Sequence, residues 1–237
     1  MASGQHILKQ YDVDLEKIRS LVLEMGGLAE SQLKTALDAF ERADMALADS
    51  VIEADRRVNE LQVSIDSMVN HVIARRQPTA GDLRLIMGVA KAVTDIERIG
   101  DEAAKIARAA RWVHEKAHRS RLNRIPDIRS GGESAARMLG LALDAFARLD
   151  PAAAAQIIRA DEGIDERFRA ILRQLVTFMM EDPRTISAAI DTVWAAKAIE
   201  RIGDHAKNIA EHVIFIAAGL DVRHVSPDEI DRAVAQS

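Results

Sequence analysis

Two carboxylates four residues apart occur in the same hexapeptide twice. Residues 96–101 read Ile-Glu-Arg-Ile-Gly-Asp, and residues 199–204 repeat it letter for letter, which places Glu97 with Asp101 and Glu200 with Asp204. On a helix, residues i and i+4 lie about 40° apart and one turn up, so each pair shares a strip. Ile86, Ala90 and Val93 fall close to the line of Glu97, while Val89, Ile96, Gly100, Ala103 and Ala107 mark the main apolar direction to one side. The carboxylates therefore belong on the shoulder of a packed face. Like charges at this spacing destabilise a helix by about 0.2–0.5 kcal/mol, and desolvation beside apolar residues adds to that cost. A bound cation would offset it, because carboxylate oxygens suit Mg, Mn, Ca, Fe and Zn. The helix before each motif carries the same spacing, Asp55 with Asn59 in one case and Asp161 with Asp165 in the other. The bland alternative is a set of surface ion pairs with Arg98, Lys105 and Arg201.

Other chemistry is thinner. Residues 114–118 read His-Glu-Lys-Ala-His, the pattern in which two imidazoles hold zinc and Glu115 serves as general base. A zinc metallopeptidase through His114, Glu115 and His118 is thus the alternative enzymatic reading. Its context argues against it: Lys116 sits inside the motif, Arg119 follows it, and the second half of the chain has no copy. His205 and His212 share a helix face about 100° from Glu200 and Asp204 and read as solvent-facing. Trp112 and Trp194 read as packing residues. No Gly-x-Ser-x-Gly, Walker A or Gly-rich dinucleotide turn occurs, and no Glu-x-x-His pair lies near the motifs as a ferritin-like centre would need. The expectation is a protein that is not an enzyme.

The elements that must position the carboxylates are long helices. Apolar residues recur at helical spacing from Tyr11 to Arg42, from Met45 to Arg76, and from Asp82 to His118. Gly26-Gly27 interrupts the first run, where a bend or a close helix contact is expected. Gln77-Pro78-Thr79-Ala80-Gly81 breaks the chain before the third. A basic stretch with Arg119, Arg121, Arg124 and Arg129, together with Pro126 and Gly131-Gly132, reads as a helix end and linker. The second half repeats the plan. Ala142-Leu143-Asp144-Ala145-Phe146 copies Ala36-Leu37-Asp38-Ala39-Phe40, a fifth helix opens at Pro151 and runs to Glu181-Asp182-Pro183, and a sixth runs from Thr185 to Ala218. Pro227 opens a short helix or a frayed tail. A repeat of about a hundred residues is domain-scale, beyond the solenoid range. Short connections between long helices make antiparallel neighbours. The expected fold is all-α, two tandem pseudo-symmetric three-helix bundles of six long helices: residues 1–120, residues 126–220, and a tail at 221–237; one continuous six-helix bundle is the alternative.

Composition agrees. Of 237 residues, 48% are hydrophobic and only 3% aromatic, a palette for close-packed helices. The net charge of −5 comes from mixed charges, so no nucleic acid is expected as a partner. No cysteine is present, which excludes disulfides and thiolate metal sites. The first residues lack the pattern of a secretory signal, and no apolar run reaches the length of a membrane span, so a cytoplasmic protein is expected.

Two three-helix halves, each with a Glu-Arg-Ile-Gly-Asp segment on its third helix, resemble the PhoU family from about residue 10 to residue 220. That resemblance implies an adaptor that restrains the phosphate ABC importer and keeps a phosphate-sensing histidine kinase silent when phosphate is plentiful. It implies the kinase and the importer's ATPase subunit as partners, a homodimer, and membrane contact only through those partners. It further implies divalent or trivalent metal ions (Fe, Zn, Mn or Mg) held by Glu97, Asp101, Glu200, Asp204, Asp55, Asp161 and Asp165. Asn59 departs from the acidic pattern and lowers the ligand charge of the site it joins.

Overall fold

The computed structural model describes residues 2–76, 78, 80–116 and 126–235. All its regular structure among them is helical: α1 (Ala2–Arg42), α2 (Met45–Arg76), α3 (Ala80–Lys116), α4 (Pro126–Arg148), α5 (Pro151–Ala160), α6 (Glu162–Glu181), α7 (Ile186–Ala218) and α8 (Pro227–Val234), with a 3-10 turn at Pro183–Thr185. Helices α1, α2 and α3 form one three-helix bundle. Helices α4, α5 with α6, and α7 form the second, and α3 packs on α7 to join them in the most extensive helix pairing of the molecule.

The predicted periodicities become the core. Val22, Met25, Ala29, Leu33 and Ala36 are fully buried along α1, and Phe40 and its repeat Phe146 are each 2% exposed. Both predicted glycine pairs contribute a close contact. A Cβ on Gly26 of α1 would collide with the side chain of Leu143 on α4, and a Cβ on Gly132 of α4 would collide with Leu37 on α1. Gly26 and Gly132 are equivalent positions in the repeat, as are Leu37 and Leu143. The halves thus exchange the same leucine-into-glycine contact across a pseudo-twofold axis. Arg129, expected in a solvated linker, also crosses between halves: it pairs with Glu41 at 3.1 Å and Asp38 at 2.5 Å on α1, and with Glu133 on α4 at 2.7 Å. These carboxylates hold its guanidinium pKa above the ordinary arginine value.

The turns are duplicated too. Ala43 and Leu149 take positive φ values of 54° and 50°. Each is followed by an aspartate whose backbone N–H donates to the carbonyl five residues back, Asp44 to Ala39 and Asp150 to Ala145, both at 3.0 Å. The aspartate then caps the next helix: Asp44 accepts from the amides of Ala46 and Leu47, and Asp150 from Ala152 and Ala153.

One expectation changes. The fifth helix is broken between α5 and α6. Asp161 keeps helical dihedrals, but Ile164 donates to its carbonyl at 2.9 Å, an i→i−3 bond. Gly163 sits in that turn with no atom near its missing Cβ, and glycine is a common site of helix kinks. Of the two readings of the tail, the short helix holds, and it is docked: Ile230 of α8 is 1% exposed, and Arg159 of α5 pairs with Asp228 at 2.8 Å and Asp231 at 2.5 Å.

Replacing Asp44 or Asp150 by Ala removes two accepted backbone bonds at a helix start. Each change is expected to lower unfolding free energy by about 1 kcal/mol in urea titrations, with Asn at the same position recovering most of it. Equal stability of the alanine variants and the parent would show that these caps are dispensable.

Candidate metal centre

In the first half, α3 presents Glu97 and Asp101 beside α2, which presents Asp55 and Asn59. Glycine at position 100 lets the helices come this close. A Cβ there would lie 3.2 Å from Gln32 Oε1, 3.3 Å from Asp55 Oδ1 and 3.4 Å from Val58 Cγ1. Gln32, on α1, is 4% exposed, and its Nε2 donates to the Val51 carbonyl at 3.4 Å. Its Oε1 and the Oδ1 of Asp55 are both buried without a hydrogen-bond partner. Asn59 donates to the other Asp55 oxygen at 3.4 Å. Arg98 reaches Asp101 at 3.4 Å and Glu97 at 3.5 Å from the solvent side, with over half of its side chain exposed.

The electrostatic cost of this grouping is visible. Burial, then the charge of Asp101, pushes the Asp55 carboxyl pKa up, against the opposing pull of the Gln32 amide, Arg108 and Asn59. Burial and Asp101 likewise push Glu97 up, against the opposing pull of Arg98. Carboxylates gathered at a packed rim raise one another in this way when too little positive charge lies among them.

The second half holds the repeated set differently. Lys197 lies 2.6 Å from Oε1 and 2.5 Å from Oε2 of Glu200, and Lys207 lies 2.9 Å from Asp161. Burial, then Glu200, Asp161 and Asp165, push Asp204 up. A Cβ on Gly203 would meet the Ile164 side chain at 2.8 Å, and its three nearest atoms all belong to that side chain. Asp161, Asp204 and Lys207 open, with Arg98, Glu102 and Arg201, onto a cleft of about 940 Å³. The structure thus brings each predicted α3 or α7 pair beside its partner helix's acids. Among the described residues, however, no three His, Asp or Glu side chains already converge as a metal-binding set.

Between the halves lies a cluster that the sequence concealed. Asp95 of α3 is 9% exposed and faces α7. It accepts from His205 Nδ1 at 2.8 Å, from Asn208 at 3.0 Å and from His212 Nε2 at 2.8 Å. The hydrogen bonds from the two imidazoles and Asn208 outweigh the raising effect of burial and hold its pKa at about 2. An ionised carboxylate only accepts, so both imidazoles present N–H to it. His205 and His212 are therefore corrected from solvent-facing residues to interface donors, and the buried Glu102 is likewise paired across to Arg201 at 3.1 Å. The periodic signal placed the histidines on one face of α7 but could not show that α3 covers that face. The two tryptophans are corrected in the opposite sense: Trp112 is 45% exposed and Trp194 62% exposed. Of the zinc-peptidase motif, His118 and the side chains of His114 and Glu115 lie outside the described residues.

This architecture has known counterparts. The family model described as PhoU domain matches residues 22–110 and again 128–213. The chain belongs to the PhoU family. It is 46% identical over 220 residues to a phosphate-specific transport system accessory protein PhoU homolog of Pseudomonas aeruginosa, covering 93% of this chain and 90% of that one. It is 43% identical over 232 residues to the PhoU accessory protein of Escherichia coli, covering 98% and 95%. The crystal structure of PhoU from Pseudomonas aeruginosa superposes with a TM-score of 0.85 at 44% identity, over 89% of this chain and all of the other. The phosphate transport system regulatory protein PhoU from Streptococcus pneumoniae gives a TM-score of 0.81 at 25% identity, over 90% of this chain and 99% of that one. Both PhoU repeats of the chain carry their Glu-Arg-Ile-Gly-Asp segment within the matched residues.

Asp95 contributes stability that is fully present above the ordinary carboxylate pKa and lost as pH falls through about 2. Asp95→Asn removes the charge that all three donors share. It is expected to cost about 2–3 kcal/mol of unfolding free energy at neutral pH. A loss under about 0.5 kcal/mol in chemical denaturation would show that the cluster does not hold the halves together.

Proposed function

We propose that the protein is a non-enzymatic regulator of phosphate homeostasis, a cytoplasmic adaptor whose docking surface is shaped by metal held at its acidic rims. The observation that carries this reading is the PhoU-family match across both halves, with an acidic pair at the same place in each. The relatives named above are accessory or regulatory proteins of phosphate transport. The adaptor acts on the ATPase subunit of a phosphate ABC importer and on a phosphate-sensing histidine kinase, restraining both when phosphate is plentiful, and works as a homodimer. Among the described residues no helix is long and apolar enough to cross a membrane, and this reading assigns contact with the bilayer to those partners.

The residues fit a cation in part. Orphaned Asp55 Oδ1 and Gln32 Oε1 at the Gly100 notch form a cradle of oxygen donors, the chemistry hard cations take. Glu97, Asp101 and Asp55 would hold a divalent or trivalent ion such as Fe, Zn, Mn or Mg. Glu200, Asp204, Asp161 and Asp165 are the repeated set. The ion would supply charge neutralisation and a fixed spacing between α2 and α3, and no reaction is assigned to it. Asp55, Glu97 and Asp204, once compensated, would lose the penalty that now raises their pKa.

Removing the gene from its host should raise phosphate-starvation reporter output in phosphate-rich medium. Unchanged reporter output together with unchanged phosphate uptake would reject the regulatory role. For the metal, the quadruple variant Glu97→Gln, Asp101→Asn, Glu200→Gln, Asp204→Asn should lose the metal that the parent retains when purified without chelator. Equal metal content by elemental analysis would reject the metal reading while leaving the regulatory one standing.

A further inference from the structure

The repeat is symmetric in sequence at its motifs and asymmetric in how it balances their charge. Resting on the metal reading above, we propose that only the first half takes a metal ion, with Gln32 Oε1 as a neutral oxygen ligand, and that the second half carries its own cations in Lys197 and Lys207.

Four differences between equivalent positions point the same way. Gln32 is replaced in the second half by Met138, which is buried at 4% exposure and offers no oxygen. At Gly100 two unpartnered oxygens, one from α1 and one from α2, line the notch, whereas at Gly203 the notch is filled by Ile164. The Gln32 amide nitrogen is shared between the Val51 carbonyl and Asp55, so it cannot fully satisfy both neighbours. A cation between the two acceptors satisfies them together. Lys197 stands where the first half has Thr94, and Lys207 where it has Ala104. Lys197 is built in: the Phe168 ring lies 5.3 Å from its ammonium on one side, and both oxygens of Glu200 contact it on another. The side chain of Glu200 is only 13% exposed, so this ammonium neutralises a nearly buried carboxylate.

Arginine does not supply the same service in the first half. Arg98 and Arg201 are equivalent, but Arg201 turns to Glu102 across the α3–α7 interface, while Arg98 reaches Glu97 and Asp101 only at 3.4–3.5 Å from the solvent side. The first half is left with buried, uncompensated oxygen donors; the second has two ammonium groups within hydrogen-bond reach of its acids. A site already holding ammonium groups binds a metal only after displacing them.

Chelator-treated full-length protein titrated with Mn²⁺, followed by electron paramagnetic resonance of free Mn²⁺, tests this. The parent is expected to saturate at the level of one half's site. Glu97→Gln with Asp101→Asn should abolish the tight binding, and Glu200→Gln with Asp204→Asn should leave it unchanged. Gln32→Met, which writes the second half's residue into the first, should weaken Mn²⁺ by about tenfold or more, with far-UV dichroism and metal-free melting confirming that it folds. Lys197→Met with Lys207→Met should raise the stoichiometry by opening the second site. If the second-half pair removes as much Mn²⁺ as the first-half pair, the asymmetry is wrong although the metal reading survives. If Gln32→Met binds like the parent, the amide is no ligand. If neither the parent nor the lysine variant binds Mn²⁺, the metal reading and this proposal fail together.

Discussion

The antiparallel packing of α3 against α7 is the constraint on which the rest of the structure depends. Each helix must serve two neighbours at once, its own bundle on one side and the other half on the opposite side. That demand explains their composition. Both carry rows of fully buried small residues, among them Ala92, Ala103 and Ala107 on α3 and Ala195, Ala206 and Ala210 on α7. Small side chains let helix axes approach, and a Cβ on Gly88 of α3 would run into Ile216 of α7. The register is pinned by polar bonds along the same seam, Asp95 to His205, Asn208 and His212, then Glu102 to Arg201. Breaking such a seam exposes more than apolar area, because a buried carboxylate stripped of its donors is costly.

The acidic pairs sit where they do because of that geometry. A helix packed on two sides has only narrow shoulders left for polar groups, and the Glu and Asp of each motif occupy one. Shoulder positions are half-desolvated, so their charges are neither free to be solvated nor automatically paired. The second half meets the problem with residues of its own chain. The first half leaves two oxygens without partners, Gln32 Oε1 and Asp55 Oδ1, although raised carboxyl pKa values occur in both halves, at Asp55 and Glu97 and at Asp204. The same motif therefore has two electrostatic outcomes, decided by Thr94 against Lys197, Ala104 against Lys207 and Gln32 against Met138, none of which lies inside it.

The helices and their duplication were legible in the sequence because burial on a helix is periodic and breakers such as Pro78 and Pro183 are local. The acidic strips were legible for the same reason, since spacing alone puts Glu97 over Asp101. What stayed hidden was anything set by a neighbour from the other half. His205 and His212 share a face whichever helix covers it, and only the fold brings Asp95 there. Gln32 gave no signal at all: a glutamine on an apolar stripe has no partner in local sequence, and its role depends on Gly100, which comes 68 residues later. Trp112 and Trp194 misled in the other direction, because size argues for burial while position on the helix decides it. The break at Asp161 was hard to read because no proline marks it, and the lone Gly163 is a weak breaker that helices tolerate.

Two residues separate Asp95 from Glu97, and on a helix that is a rotation of about 200°. Asp95 therefore points into the seam between the halves while Glu97 points to the rim of its own half. One rigid stretch of α3, less than two turns long, carries both the interface carboxylate and the first acidic pair. A ligand shifts an equilibrium only by the difference in its contacts between two states. A cation gripping Glu97, Asp101 and Asp55, with Gln32 Oε1 beside them, would contact α1, α2 and α3, the helices of its own half. Its influence on the second half must then pass through a displacement or rotation of α3 as a body, which would move Asp95 against His205 and His212. The hydrogen bonds at 2.8 Å on that side are short and directional, so even a small rotation is registered there. With the two charges on opposite faces of one helix, a binding event at Glu97 would reach Asp95 only through movement of α3 itself.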